Sequence, residues 1–269
     1  MLRLGTSSWT ASGWEEVFYP PGTRDGDRIA YYASVFPTVE VDATFYRVPS
    51  AAMVRNWAAK TPDGFLFAAK VPQAITHEKA LENCGEDMAA FLRAMAPLGE
   101  KLGPLLLQFG YFNKASGVTR DVFLKRLGAF LATLPLGEQR FAVEIRNKAW
   151  FGKPYLELLA EHGVCAALVD QSWMPTIDEQ LRQGNVFTTD FLYVRWLGDR
   201  KGIEEKTKVW KERILDRTEQ MRAWVPPIKD ALDRQMDVFG YVNNHYSGYA
   251  PADVRDFHAM LAAASAQAD

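Results

Sequence analysis

The sequence predicts an α/β protein of the (β/α)8 TIM-barrel class, a single domain over residues 1–269. Three observations predict it. Short apolar runs alternate with helical patterns about eight times, the signature of a parallel sheet with helical crossovers. None of these runs reads as a polar edge strand, which favours closure. No Gly-x-Gly-x-x-Gly follows the first run, so a dinucleotide-binding open sheet lacks its main motif.

The strand-like runs fall at 2–7, 38–43, 65–70, 104–108, 140–145, 164–169, 191–196 and 237–243. Helical patterns lie between most of them. Over 26–36, Asp25-Gly26-Asp27 is a capping sequence, and Ile29, Tyr32, Ala33 and Phe36 recur at helical spacing. Met88, Phe91, Leu92, Met95 and Leu98 make one stripe over 85–101. Thr119 opens a helix over 119–133 carrying Val122, Phe123, Leu127, Phe130 and Leu131. Residues 171–190 read as a loop with a short helix near 178–183. A long charged amphipathic segment follows over 204–234, broken at Pro226-Pro227. Pro251 suits the first turn of a final helix.

Composition narrows the function classes. With 48% apolar residues the chain can build a large core, and a net charge of −2 argues against general polyanion binding. The two cysteines, Cys84 and Cys165, give no disulfide framework. No run is long enough to span a membrane, and Met1–Ser7 turns polar too soon for a signal peptide. The chain therefore reads as soluble and cytoplasmic, with no membrane partner.

The runs end in polar residues. In Val39-Glu40-Val41-Asp42-Ala43-Thr44, alternation puts Glu40, Asp42 and Thr44 on one face. In a barrel of this class the active site lies at the C-terminal strand ends. The predicted inward set is Ser7 and Trp9, then Glu40, Asp42 and Thr44, then Lys70, Gln108, Glu144 with Arg146, Asp170, Arg195, and Asn243 with His245. Glu40, Glu144, Asp170 and His245 are the expected catalytic acids and bases. Trp9, Asp42, Thr44, Tyr46, Lys70, His77, Gln108, Arg146, Trp150, Arg195, Asn243 and Asn244 are the expected substrate-binding residues. Arginine forks suit carboxylate or phosphate oxygens, and loop aromatics suit a sugar or base face. The same charges would arise in a barrel interior whose ion pairs only satisfy one another. The same aromatics would arise from loops packed on the barrel top. Trp57, Trp210 and Trp224 read as helix packing. No close His/Cys spacing suggests a metal site, and no cofactor is expected.

Several segments together resemble the YecE-like proteins, a domain-of-unknown-function family predicted to be TIM barrels. They are Gly5-Thr6-Ser7-Ser8-Trp9 with Phe18-Tyr19-Pro20, and Val39-Glu40-Val41-Asp42-Ala43-Thr44-Phe45-Tyr46-Arg47-Val48-Pro49. Phe67-Ala68-Ala69-Lys70-Val71-Pro72, Ile75-Thr76-His77 and Leu105-Leu106-Leu107-Gln108-Phe109 follow. Ala142-Val143-Glu144-Ile145-Arg146 with Trp150-Phe151, and Tyr241-Val242-Asn243-Asn244-His245, complete the match over nearly the whole chain. Two departures stand out. Phe109-Gly110-Tyr111 replaces a usual proline, and Arg195-Trp196-Leu197-Gly198 stands where the family often has Arg-x-His-Gly. The resemblance implies the barrel fold and no particular reaction.

Three function classes follow. The first is an enzyme using acid/base carboxylates on a small anionic, sugar-like substrate bearing phosphate or carboxylate. The second is a metal-assisted phosphodiesterase acting on nucleic acid, disfavoured by few histidines and near-neutral charge. The third is a non-catalytic ligand- or partner-binding barrel.

Overall fold

In the computed structural model, which describes residues 1–266, strands and helices follow one another through the chain. In order they are β1 (Leu2–Thr6), α1 (Trp14–Val17), α2 (Arg28–Val35), β2 (Thr38–Val41), α3 (Ala43–Tyr46), α4 (Ala51–Ala59), β3 (Leu66–Lys70) and α5 (Gly85–Met95). Then come β4 (Leu102–Gln108), α6 (Arg120–Leu131), β5 (Phe141–Glu144), α7 (Lys153–Glu161), β6 (Cys165–Ala166), β7 (Leu168–Gln171) and α8 (Ile177–Leu181). The chain continues through β8 (Phe191–Gly198), α9 (Arg200–Glu204), α10 (Thr218–Ala223), α11 (Val225–Asp233), β9 (Asp237–Val242) and α12 (Ala250–Ala266). Residues 267–269 of the predicted domain lie outside the described residues.

The fold is mixed α/β and TIM-barrel-like, with parallel strands in two sheets ordered β1-β9-β8-β7 and β2-β3-β4-β5-β6. The predicted sixth strand is recorded as two. Its first half pairs with β5 and its second half with β8. Between them, Ala167 N donates to Val143 O at 2.9 Å. Side chains satisfy backbone groups here that a ladder would otherwise pair: Thr188 Oγ1 accepts from Ala166 N at 2.9 Å and donates to Val164 O at 2.6 Å. The gap between β1 and β2 is treated alike. The Tyr32 hydroxyl accepts from Thr6 N at 2.8 Å and lies 3.2 Å from Thr38 O. Gly5 is required there, because a Cβ would collide with the Thr38 carbonyl.

Most predicted helices form, although Asp25-Gly26-Asp27 makes a 3-10 turn before α2 and gives it no side-chain cap. Thr119 caps α6 by accepting from Val122 N, and Ser50 caps α4 by accepting from Met53 N. The short helix expected near 178–183 is α8, opened by a reciprocal Thr176–Glu179 capping box. The helix expected over 204–234 does not form as one unit. Residues 205–217 are irregular, and the expected break at the prolines is present: α10 ends at Ala223 and α11 begins at Val225 with Pro226-Pro227 in its first turn.

Apolar residues pack in two layers. The larger lies between the sheets and the helices. The smaller is enclosed by the strands: Ala68, Ala142 and Ala167 on one side leave room for Phe191, Tyr193, Phe239 and Tyr241 from the other. This plug of small and large side chains forms the base on which the polar residues at the strand ends stand.

Candidate functional site

The inward-facing residue Arg195 on β8 organises the site, although it is only 2% exposed. Its Nη2 and Nε donate to Glu40 Oε1 at 2.7 and 3.1 Å, and its Nη1 donates to Glu144 Oε2 at 2.6 Å. Glu40 and Glu144 are fully buried. Tyr193, two residues before Arg195 and so on the same face, donates to Glu40 Oε2 at 2.6 Å. Arg146 Nε donates to Glu144 Oε1 at 3.0 Å. A buried charge needs a partner and its remaining hydrogen bonds, and Arg195 supplies both to two carboxylates on different strands.

Above this floor the groups are less committed. Asp42 lies 3.5 Å from both Arg195 Nη2 and Lys70 Nζ, and its Oδ1 is buried without a hydrogen bond among the described residues. Lys70 sits 4.3 Å from the centre of the Phe45 ring, a cation–π contact. The Arg146 side chain is about a quarter exposed. His77 lies in a single π-helical turn, Ala74–Glu78; its Nδ1 is 2.8 Å from Thr76 Oγ1 and its ring stands edge-on to Phe45.

The surroundings shift these groups in different directions. Burial pushes Glu144 up, but Arg195, Arg146 and Lys70 outweigh it and hold its carboxyl at about 2. Burial and the Asp42 charge raise Glu40 against the pull of Arg195. Burial lowers Lys70; Asp42 opposes that shift and Arg195 adds to it. Burial, Lys70 and Arg146 lower His77 to about 4, so the imidazole is neutral at neutral pH.

The structure thus brings Glu40, Asp42, Lys70, His77, Glu144, Arg146 and Arg195 together. Gln108 ends β4 beside Glu144 in register, 4% exposed, with its amide donating to Phe109 O at 2.6 Å. Next to this group a cavity of about 230 Å³ is lined by Ser7, Asp42, Trp210, Asn243, Asn244 and His245, among others. His245 Nε2 lies 2.9 Å from Glu204 Oε1, and its Nδ1 lies 2.5 Å from Asn243 Oδ1. Burial lowers its pKa and Glu204 opposes the shift. Asn244 Oδ1 accepts from Ala250 N at 3.0 Å, tying the cavity wall to the start of α12.

Five expected site residues stand elsewhere or are spent. Asp170 faces outward, a correction to the predicted inward set. It pairs in register with Trp196 and accepts from Trp224 Nε1 at 3.1 Å and Tyr246 OH at 3.0 Å. Cys165, Ala167 and Val169 take the inward face instead. Both faces of a parallel strand are buried, so hydropathy could not fix its parity. Trp9 packs edge-on against Trp57 and Phe67, outside the cup. Tyr46 is 72% exposed on α3. Trp150 stacks on Phe112 at 5.6 Å. The Thr44 hydroxyl is used by the backbone: it lies 2.8 Å from both Val41 O and Lys70 O, and its one proton serves that pair of carbonyls.

Sequence reasoning missed Tyr193, Phe45 as the seat of Lys70, and Glu204. Tyr193 was open to discovery from its two-residue spacing to Arg195. Trp210, read as helix packing, lies in an irregular segment with its ring 4.9 Å from that of His245. A larger cavity of about 590 Å³ lies away from the ion pairs, between the loops that follow β4 and β5. Lys114, Arg120 and Lys148 line it with no carboxylate.

Fold and site together define a parallel α/β protein with an ion-paired polar cup at its strand ends. The chain belongs to the family described as protein of unknown function DUF72, whose model matches residues 3–269. It is 28% identical over 272 residues to the UPF0759 protein YunF of Bacillus subtilis (strain 168), covering 93% of this chain and 91% of that one. It is 31% identical over 171 residues to the UPF0759 protein YecE of Escherichia coli O157:H7, covering 64% of this chain and 58% of that one. Among solved structures it resembles a DUF72 family protein from Thermotoga maritima MSB8. That match has a TM-score of 0.77 and 27% identity, and covers 97% of this chain and 99% of the other. No helix among the described residues is long and apolar enough to cross a membrane.

Proposed function

We propose that the chain is a single-domain, cytoplasmic enzyme of the closed (β/α)8 type that performs acid/base chemistry on a small anionic, sugar-like substrate. Closure is supported by the Thr188 and Tyr32 bridges, which meet unpaired backbone groups at the two junctions between the sheets.

The observation that carries the functional reading is the split between committed and uncommitted charges. Arg195, Glu40 and Glu144 saturate one another below. Among the described residues, Arg146 above them bonds only through its Nε, and Lys70 Nζ makes no hydrogen bond. Arg146 therefore offers its two Nη groups to a phosphate or carboxylate, with Lys70 as a second positive group beside it. Asp42 and the neutral His77 supply the carboxylate and imidazole for proton transfer. Glu40 and Glu144, expected from the sequence to be catalytic, become positioning residues that fix Arg195 and Arg146. Among the described residues no three His, Cys, Asp or Glu side chains are placed to hold a metal ion.

The test is calorimetric titration with a panel of sugar phosphates and sugar carboxylates. At least one anion binds the wild type and loses its affinity in Arg146→Ala, whose fold is checked by circular dichroism. Failure of every anion to bind, or binding indifferent to Arg146, refutes the proposal.

A further inference from the structure

Lys70 differs from the other cations of the cup in what its charge receives. Arg195 is held by two carboxylates and Arg146 by one. Lys70 is 8% exposed, and its Nζ has a ring face at 4.3 Å and a carboxylate oxygen at 3.5 Å, with no hydrogen bond among the described residues. An ammonium so placed has lost most of its water without hydrogen bonds in return, which favours the neutral amine. A structural cation at a strand end is normally satisfied by carbonyls or carboxylates, as Lys101 is by Ala58 O at 2.8 Å and Thr61 O at 2.6 Å. Lys70 has only the Asp42 carboxylate oxygen, at 3.5 Å and without a hydrogen bond among the described residues.

We propose, resting on the reading of the cup as an anion-binding acid/base site, that Lys70 forms a Schiff base with the carbonyl carbon of an anion-bearing aldehyde or ketone. Arg146 holds the anion and Lys70 meets the carbonyl. Asp42 takes a proton from the Lys70 ammonium, and the freed amine lone pair attacks the carbonyl carbon. The C–N bond forms as the carbonyl π pair moves to oxygen, and a proton passes from nitrogen to that oxygen to give the carbinolamine. Protonated Asp42 then returns its proton to the hydroxyl, the C–O bond breaks and water leaves. The nitrogen lone pair completes the protonated imine. One carbonyl compound and one ammonium give one iminium and one water, with no oxidant or reductant consumed. The lowered pKa of Lys70, set by burial against the opposing Asp42 charge, agrees with an amine that gives up its proton readily.

The experiment is reductive trapping on the full chain. The protein is incubated separately with dihydroxyacetone phosphate and with pyruvate, sodium borohydride is added, and the adduct is located by peptide mapping. The expected result is one reduced adduct per chain on Lys70 with at least one probe, absent in Lys70→Arg. Adducts confined to exposed lysines such as Lys114, Lys148 and Lys153, or no adduct at all, overturn the assignment. Because the mapping is done on the wild type, it does not depend on the variant folding. Calorimetry of the same probes without borohydride separates the two claims. Arg146-dependent binding without a Lys70 adduct removes the Schiff base alone; loss of both removes the anion-binding reading as well.

Discussion

Replacing Arg195 by methionine keeps much of its volume and removes the charge that Glu40 and Glu144 share. Both carboxylates are fully buried, so neither recovers water in the variant. Breaking a buried pair by removing one partner costs about 3–5 kcal/mol, because the other charge is left uncompensated. The shift at Glu144, set by burial against Arg195, Arg146 and Lys70 together, sets the pH range of the effect. Lowered from 4.5 to about 2 in the folded protein, it corresponds to about 3 kcal/mol at 1.36 kcal/mol per unit. Because this folded value lies below the unfolded one, the stability is present above about pH 4.5 and is lost as pH falls toward 2. Glu40, raised by burial, works the opposite way and is relieved by acid. In Arg195→Met both carboxylates keep their burial and lose their main cation, so both rise and both favour protonation. Thermal and urea unfolding, followed by circular dichroism at pH 7.5 and pH 4.5, reads the effect. The variant is expected to be about 3–5 kcal/mol less stable at the higher pH, with a smaller deficit at the lower pH. Adding Glu40→Gln and Glu144→Gln should restore part of the loss at neutral pH. A deficit below about 1 kcal/mol, the range of exposed ion pairs, or one equal at both pH values, refutes the reasoning.

Two further outcomes follow from single contacts. Tyr32→Phe removes the hydroxyl that serves Thr6 N and approaches Thr38 O. It should cost about 1–3 kcal/mol and speed hydrogen exchange at the Thr6 amide; unchanged exchange there would show that the hydroxyl does not hold the β1/β2 gap. The His77 imidazole, lowered to about 4 by burial and two cations, should show no titration by NMR between pH 6 and 8. A midpoint near 6.5 would place it outside the cationic environment described here.

How much of this was legible in the chain depends on what set each residue's direction. Glu40, Lys70, Glu144 and Arg195 converge as alternation predicts, because each interrupts an apolar run at a strand end. Asp170 also ends an apolar run, but Leu168 and Val169 are both buried, so the pattern carried no parity and the outward side won. Trp9 and Trp150 were placed by loop geometry, which side-chain type does not encode. The 204–234 pattern reads as helical up to the break at Pro226-Pro227 because charges and apolar residues recur at helical spacing. The chain departs from helix at 205–217, where Ile214 N and Leu215 N both bond Ser247 O. Ser7 Oγ and Gln171 Oε1, buried without partners, left no mark in composition or spacing. The sequence likewise could not show that each nitrogen of Arg195 bonds a carboxylate while Arg146 bonds through Nε, since that follows from hydrogen-bond geometry.

The central claim is that the cup binds an anion through the groups the ion-paired floor leaves uncommitted. A crystal structure of the protein soaked with a sugar phosphate tests it most directly. Phosphate oxygens are expected within hydrogen-bond distance of the Arg146 guanidinium, with the sugar beside Lys70, Asp42 and His77. Phosphate seated instead among Lys114, Arg120 and Lys148, with the cup unchanged, would contradict it.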